Sequence, residues 1–216
     1  MSISRPLIVL SALAALVAGC AKNGEFDETG GIRLTRSICP AVAVPAYTGD
    51  MTVFDPPASR EARAIDVVAN LTNLRNTCTE TAGGQEVSVN ATFTVNARRS
   101  SAQGARDVTL PYFATVVQGG RIVVSKRVSN VALHFNDGEL RASTTGSAGA
   151  SVNRAAATLP EAIRDRITRK RKAGDADATL DPLADPEVKA AVQRVSFELL
   201  VGFQLSGEQL QYNATR

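Results

Sequence analysis

From about residue 64 the apolar positions recur every second residue. Ile65, Val67, Ala69 and Leu71 alternate with Asp66, Val68, Asn70 and Thr72. After the Ala82-Gly83-Gly84-Gln85 turn, Val87, Val89, Ala91, Phe93, Val95 and Ala97 alternate with Ser88, Asn90, Thr92, Thr94, Asn96 and Arg98. A period of two with one apolar face predicts half-buried antiparallel strands. Val108 to Gln118 is apolar on both faces and reads as a central strand. Gly119-Gly120 follows as a two-residue hairpin turn, where glycine takes positive φ without steric cost. In the returning strand the apolar positions are even through Ile122, Val124 and Val128, then odd at Val131, Leu133 and Phe135, which predicts a bulge near Ser129-Asn130. Asn136-Asp137-Gly138 marks another turn. Leu140, Ala142 and Thr144 predict a short strand, and Val195 to Leu205 the last one.

Two stretches break this pattern. Residues 37–62, with Pro40, Pro45, Pro56 and Pro57, read as an irregular leading segment. Residues 146–194 read as an insertion. It opens on Gly/Ser/Ala-rich sequence, continues into a helix starting near Leu159-Pro160-Glu161, and closes with a second short helix over 186–194. Ser206 is placed to cap a final helical turn. Altogether the pattern predicts a mainly β chain. It is an immunoglobulin-like sandwich of about seven antiparallel strands over 37–216, with a helical and irregular insertion before the last strand. A β-barrel is the alternative closure of the same pattern.

Composition narrows the chemistry. Among 216 residues there are one His, three Cys and no Trp, with 24 Lys and Arg against 21 Asp and Glu. Little remains for a nucleophilic triad or a His/Cys metal cage. His134 sits between Leu133 and Phe135 on the opposite strand face, as an exposed residue. No catalytic residue, metal site or cofactor is expected, and the chain is read as non-enzymatic. Ile163 to Lys172 carries six basic residues and one acid. Arg164, Arg166, Arg169, Lys170, Arg171 and Lys172 are therefore candidate contacts for an anionic surface. The competing reading is a solvated helix balanced by Asp175, Asp177, Asp181 and Asp185. Those aspartates lack the turn glycine and distal glutamate of a calcium loop.

The N-terminus carries the strongest motif. Arg5 precedes an apolar run, Leu7 to Val17, too short for the roughly 20 residues that cross a bilayer. The run ends in Leu16-Val17-Ala18-Gly19-Cys20. Val17-Ala18-Gly19-Cys20 resembles the lipobox of bacterial lipoprotein precursors. The resemblance implies a signal peptide over 1–19, lipid on the Cys20 sulfur, and a tether over 20–36. Ala21 rather than Asp after the cysteine implies the outer membrane, periplasmic side. Leu110 to Phe113, together with the terminal Leu-Leu-Val-Gly-Phe-Gln-Leu, resembles a group of uncharacterised small envelope lipoproteins of Gram-negative bacteria, which carries no activity across.

With Cys20 used by lipid, Cys39 and Cys78 remain as an even pair in an exported chain and read as a disulfide. The expected role is thus a structural, assembly or partner-binding lipoprotein. Its partners would be the membrane through its anchor and an envelope protein, with no nucleic acid. The alternative is a binding module for a small envelope ligand, anionic lipid or lipopolysaccharide.

Overall fold

The computed structural model describes residues 36–80, 83–171 and 174–215. The described strands form two four-stranded sheets packed as a β-sandwich. One sheet has the spatial order β1 (Ala41–Ala43), β8 (Phe197–Phe203), β5 (Arg106–Gln118), β6 (Ile122–Phe135). The other has the order β2 (Asp50–Phe54), β3 (Ile65–Glu80), β4 (Glu86–Arg99), β7 (Arg141–Asn153). Neighbours are antiparallel except β1, which runs parallel to β8. The expected signal peptide, Cys20 and the expected tether up to Thr35 lie outside the described residues.

Alternation locates the core well. In β4 every odd residue from Val87 to Arg99 is buried, and β5 is central between β6 and β8 as expected. Gly119 and Gly120 take φ of 62° and 72°, and Gly138 takes 79°, each in its expected turn. Four expectations need correction. The leading segment is not wholly irregular: it supplies β1 and β2. The strand after Gly138 is not short. It continues to Asn153 and pairs residue for residue with β4, so the β fold includes Gly146 to Asn153 and the insertion starts only at Arg154. Val195 ends a helix, leaving β8 to begin at Phe197. Finally, β6 pairs without a break through Ser129 and Asn130. Its irregularity lies between Val123 and Ser125, opposite Val116 and Val117.

The last correction explains the switch in parity. Val131, Leu133 and Phe135 face the sandwich interior and are buried. The preceding residues on that same inner face are Ser129, Arg127 and Ser125, and they are exposed. The apolar even residues of this half point elsewhere and are uncovered.

Phe93 and Tyr112 meet edge to face across the core at 5.1 Å, a geometry aromatic quadrupoles favour. The Tyr112 hydroxyl donates to the Ser147 carbonyl at 2.7 Å, joining the two sheets. Gly146 makes this possible: a Cβ there would stand 2.3 Å from the Phe93 ring. At one end of the sandwich Arg99 is buried beneath the loops after β4 and β6. It donates to the carbonyls of Glu139, Gly104, Ala102 and Asn136 and stacks on Phe135. A disulfide joins Cys39 to Cys78, with Cα atoms 6.1 Å apart, and fixes the start of the chain to β3.

The insertion folds as helices α1 (Arg154–Ala157), α2 (Glu161–Thr168) and α3 (Pro186–Val195). Ile163 and Ile167 of α2 pack with Val188, Ala191 and Val192 of α3 in an apolar cluster of their own. The C-terminal helix α4 (Gly207–Thr215) is longer than the single turn expected. Its start is a reciprocal cap: Ser206 Oγ accepts from the Gln209 N–H while Gln209 Oε1 accepts from the Ser206 N–H. Asn213 Nδ2 donates to the carbonyls of Tyr47 and Asp50, docking α4 beside β2.

Two stability outcomes follow. Gly146→Ala should cost roughly 1–3 kcal/mol through overpacking, and Phe93→Leu in the same chain should recover part of it. A double-mutant cycle of chemical melts measures this, and additive losses would separate the two positions. Cys78→Ser should lower stability by roughly 3–4 kcal/mol, from release of the 38-residue loop between the cysteines. Alkylation of the wild-type chain without reductant should find neither thiol.

Candidate functional site

The six basic residues of the insertion do not form one outward patch. Helical spacing turns Ile163 and Ile167 inward, which carries the cations between them to the flanks. Arg164 pairs with Glu161 and Asp165. Arg166 reaches across to α3 and pairs with Asp185 and with Glu187 at 2.9 Å. Arg169 pairs with Asp177. Arg171 is buried; its Nε donates to Asp177 at 3.3 Å and an Nη donates to the Arg166 carbonyl. Lys170 is exposed, and Lys172 lies outside the described residues. The structure therefore brings Arg166, Arg169 and Arg171 together, but around carboxylates of their own chain. Arg171 is corrected from a surface contact to an internal brace.

These three arginines, with Asp165, Asp177, Asp181 and Asp185, line an open cleft of about 710 Å³. An anion entering it would have to displace the aspartates already there. Asp185 also caps α3, accepting from the Glu187 and Val188 N–H groups. The Glu187 N–H does most to hold the Asp185 carboxyl below its ordinary value; desolvation, next in size, opposes it, and the Val188 N–H and the Arg166 guanidinium add to the lowering. The arrangement is suited to holding α2 on α3.

His134 lies on the outer face of β6 and makes a 2.7 Å contact from Nδ1 to Asp107 Oδ1 of β5, both side chains largely exposed. A solvated pair of this kind contributes little. Among the described residues no group of three His, Cys, Asp or Glu is placed to hold a metal. None of the described helices is long and apolar enough to cross a membrane.

A broad feature stands out on the outer face of β3, β4 and β7. Thr72, Thr77 and Thr79 of β3 flank Ser88, Asn90, Thr92, Thr94 and Asn96 of β4, which in turn flank Ser143, Thr145, Ser147 and Ser151 of β7. Arg75, opposite Thr92, is the charged side chain set among them. Cross-strand bonds order the surface: Ser88 to Ser151 at 2.9 Å, Asn96 to Thr72 at 3.0 Å, and Ser143 to Asn96 at 2.9 Å. Exposed protein surface ordinarily mixes charges of both signs. Apart from Arg75, and from Glu86, Arg98 and Arg141 at its two ends, this face offers hydroxyl and amide groups able to donate and accept. The β4 third of it was legible as the polar side of an alternation; the β7 third was hidden by the reading of 146–157 as an irregular segment.

A second exposed feature is the tip of the β5–β6 hairpin. Ile122, Val123 and Val124 are 63%, 62% and 53% exposed, which is unusual for three consecutive aliphatic residues in a strand. Ile122 also borders a groove of about 410 Å³ with Ala190, Gln193 and Arg194 of α3.

No protein-family model, curated protein or solved structure matches the chain.

The depressed Asp185 pKa gives a pH dependence with a definite sign. Its stabilisation is complete above the unfolded carboxylate value, about 3.9, and is lost as pH falls through the lower folded value. Protection of the Glu187 and Val188 amides, relative to their intrinsic exchange rates, should therefore hold at pH 5 and fall below about pH 4. Asp185→Asn, which keeps a capping oxygen, should flatten that pH response.

Proposed function

We propose that the chain is a non-enzymatic, lipid-anchored protein of the bacterial cell envelope that binds a partner through the outer face of β3–β4–β7. The anchor reading rests on the Val17-Ala18-Gly19-Cys20 motif. Ala21 supports the outer membrane, periplasmic side. The partner-binding reading rests on one observation: a broad, exposed face of Ser, Thr and Asn side chains around a single arginine, Arg75, with hydrogen bonds arranged across three strands. A partner on such a face is recognised by hydrogen bonds and shape, with little electrostatic steering. An envelope protein presenting amide and hydroxyl groups fits that chemistry. The described recesses are open grooves shared between strands and helices, a form better suited to a macromolecule than to an enclosed small ligand.

Two experiments test the two halves. Cys20→Ala should move the protein from the membrane pellet to the soluble fraction after a high-salt wash that strips peripheral binding; a mutant that stays in the washed pellet refutes the anchor. Thr92→Glu places a bulky carboxylate opposite Arg75 at the centre of the face without touching the core. Crosslinking in native membranes should recover a partner with the wild type and lose it with Thr92→Glu, at unchanged melting temperature. Equal recovery from both removes this face from the interaction.

A further inference from the structure

We infer that the β5–β6 hairpin tip is a membrane-contacting element that rests on an anionic bilayer. Three observations carry it. Ile122, Val123 and Val124 are uncovered together, at the point where β6 bulges away from regular pairing with β5. Cations surround them: Arg121 precedes the run, Lys126 and Arg127 follow it, and Arg194 borders the same groove as Ile122. No acidic residue occurs in β6. Apolar side chains ringed by Lys and Arg are the pattern that enters the boundary between headgroups and acyl chains, with the cations left at the phosphates.

The third observation is where the described chain begins. Arg36 donates to the Val192 carbonyl and, at 2.8 Å, to Ser196 Oγ. The Ser196 carbonyl accepts from the N–H of Gly119, the first glycine of the hairpin turn. Residue 36 is therefore fixed at the same end of the sandwich as the apolar tip. Cys20 lies sixteen positions upstream, a separation of at most about 55 Å for a fully extended chain. A lipid on Cys20 would hold this end of the molecule, and with it the tip, against the bilayer. That step rests on the lipid-anchored reading above, whereas the affinity of the tip for a bilayer does not.

The test uses a chain starting at Ala21, which lacks the lipidated cysteine and retains every described element. Sedimentation with phosphatidylglycerol/phosphatidylcholine vesicles is compared with phosphatidylcholine alone. Binding should require the anionic lipid and weaken with added salt. Arg121→Gln and Lys126→Gln should each weaken it about fivefold. Ile122→Ser with Val124→Ser should weaken it by roughly tenfold or more. The protein has no tryptophan, so Val123→Trp supplies a single fluorophore, whose emission should shift to the blue on vesicles and be quenched by brominated acyl chains. Arg164→Gln with Lys170→Gln should leave binding within twofold.

Absence of vesicle binding overturns the proposal, and so does binding with an unshifted tryptophan. Binding that follows Arg164 and Lys170 instead of the tip overturns it in favour of α2. Capture of a protein strand along β6, blocked by Val128→Lys while vesicles remain unbound, overturns it in favour of edge pairing. Each of these outcomes leaves the Cys20→Ala fractionation free to succeed or fail separately.

Discussion

The close approach of Phe93 to Gly146 governs the sandwich. The Phe93 ring occupies the space a side chain at 146 would need, and Val131 of the other sheet stands 3.0 Å from the same point. This brings β7 and β6, the edge strands of opposite sheets, together at one level. Tyr112 then bonds the sheets through the Ser147 carbonyl. Packing this tight transmits a constraint along the strands, because interiors have no spare volume to absorb a shift. Beyond this level, toward the hairpin, the inner face of β6 turns polar and uncovered. The exposed tip begins where the clamp ends.

What was legible in the sequence follows from the same contrast. β4 and β5 announced themselves because large apolar residues alternate with polar ones, or fill both faces. β7 did not, since its inward positions are Gly146, Ala148 and Ala150, too small to stand out against Ser and Thr. At Gly146 the cause is Phe93 of the neighbouring strand, whose ring takes the room a side chain would need, a requirement no local window contains. In β6 the change of parity was visible, but its cause was not. The pattern suggested an extra residue near 129–130, whereas the ladder continues there and the apolar residues are simply uncovered. β1 is three residues held by a parallel partner 157 positions away, so nothing local marks it.

The charged insertion shows a similar limit. Six cations in ten residues suggested a docking surface. Their partners lie up to 21 positions downstream, and only the packing of α2 on α3 brings Arg166 to Asp185 and Glu187. The hydroxyl- and amide-rich outer face was legible along β4 and at Thr72 of β3, whereas its part beyond residue 145 depends on recognising the full length of β7. Cys39 and Cys78 were paired correctly, since an even pair leaves one partner for each.

Arg99 gives the molecule two ends of different character. Its guanidinium is held by four backbone carbonyls and an aromatic ring, with no carboxylate among those contacts. Backbone carbonyls do not take up protons in the ordinary range, so the contacts of Arg99 itself are indifferent to acidity, while at the same end Asp137 accepts from the Gly104 N–H and Asp66 pairs with Arg106. At the opposite end the helices are tied by aspartate and glutamate. An acid challenge would therefore spare the bonds of Arg99 and reach the carboxylate ties at both ends: Asp177 and Asp185 among the helices, Asp66 and Asp137 at the other end.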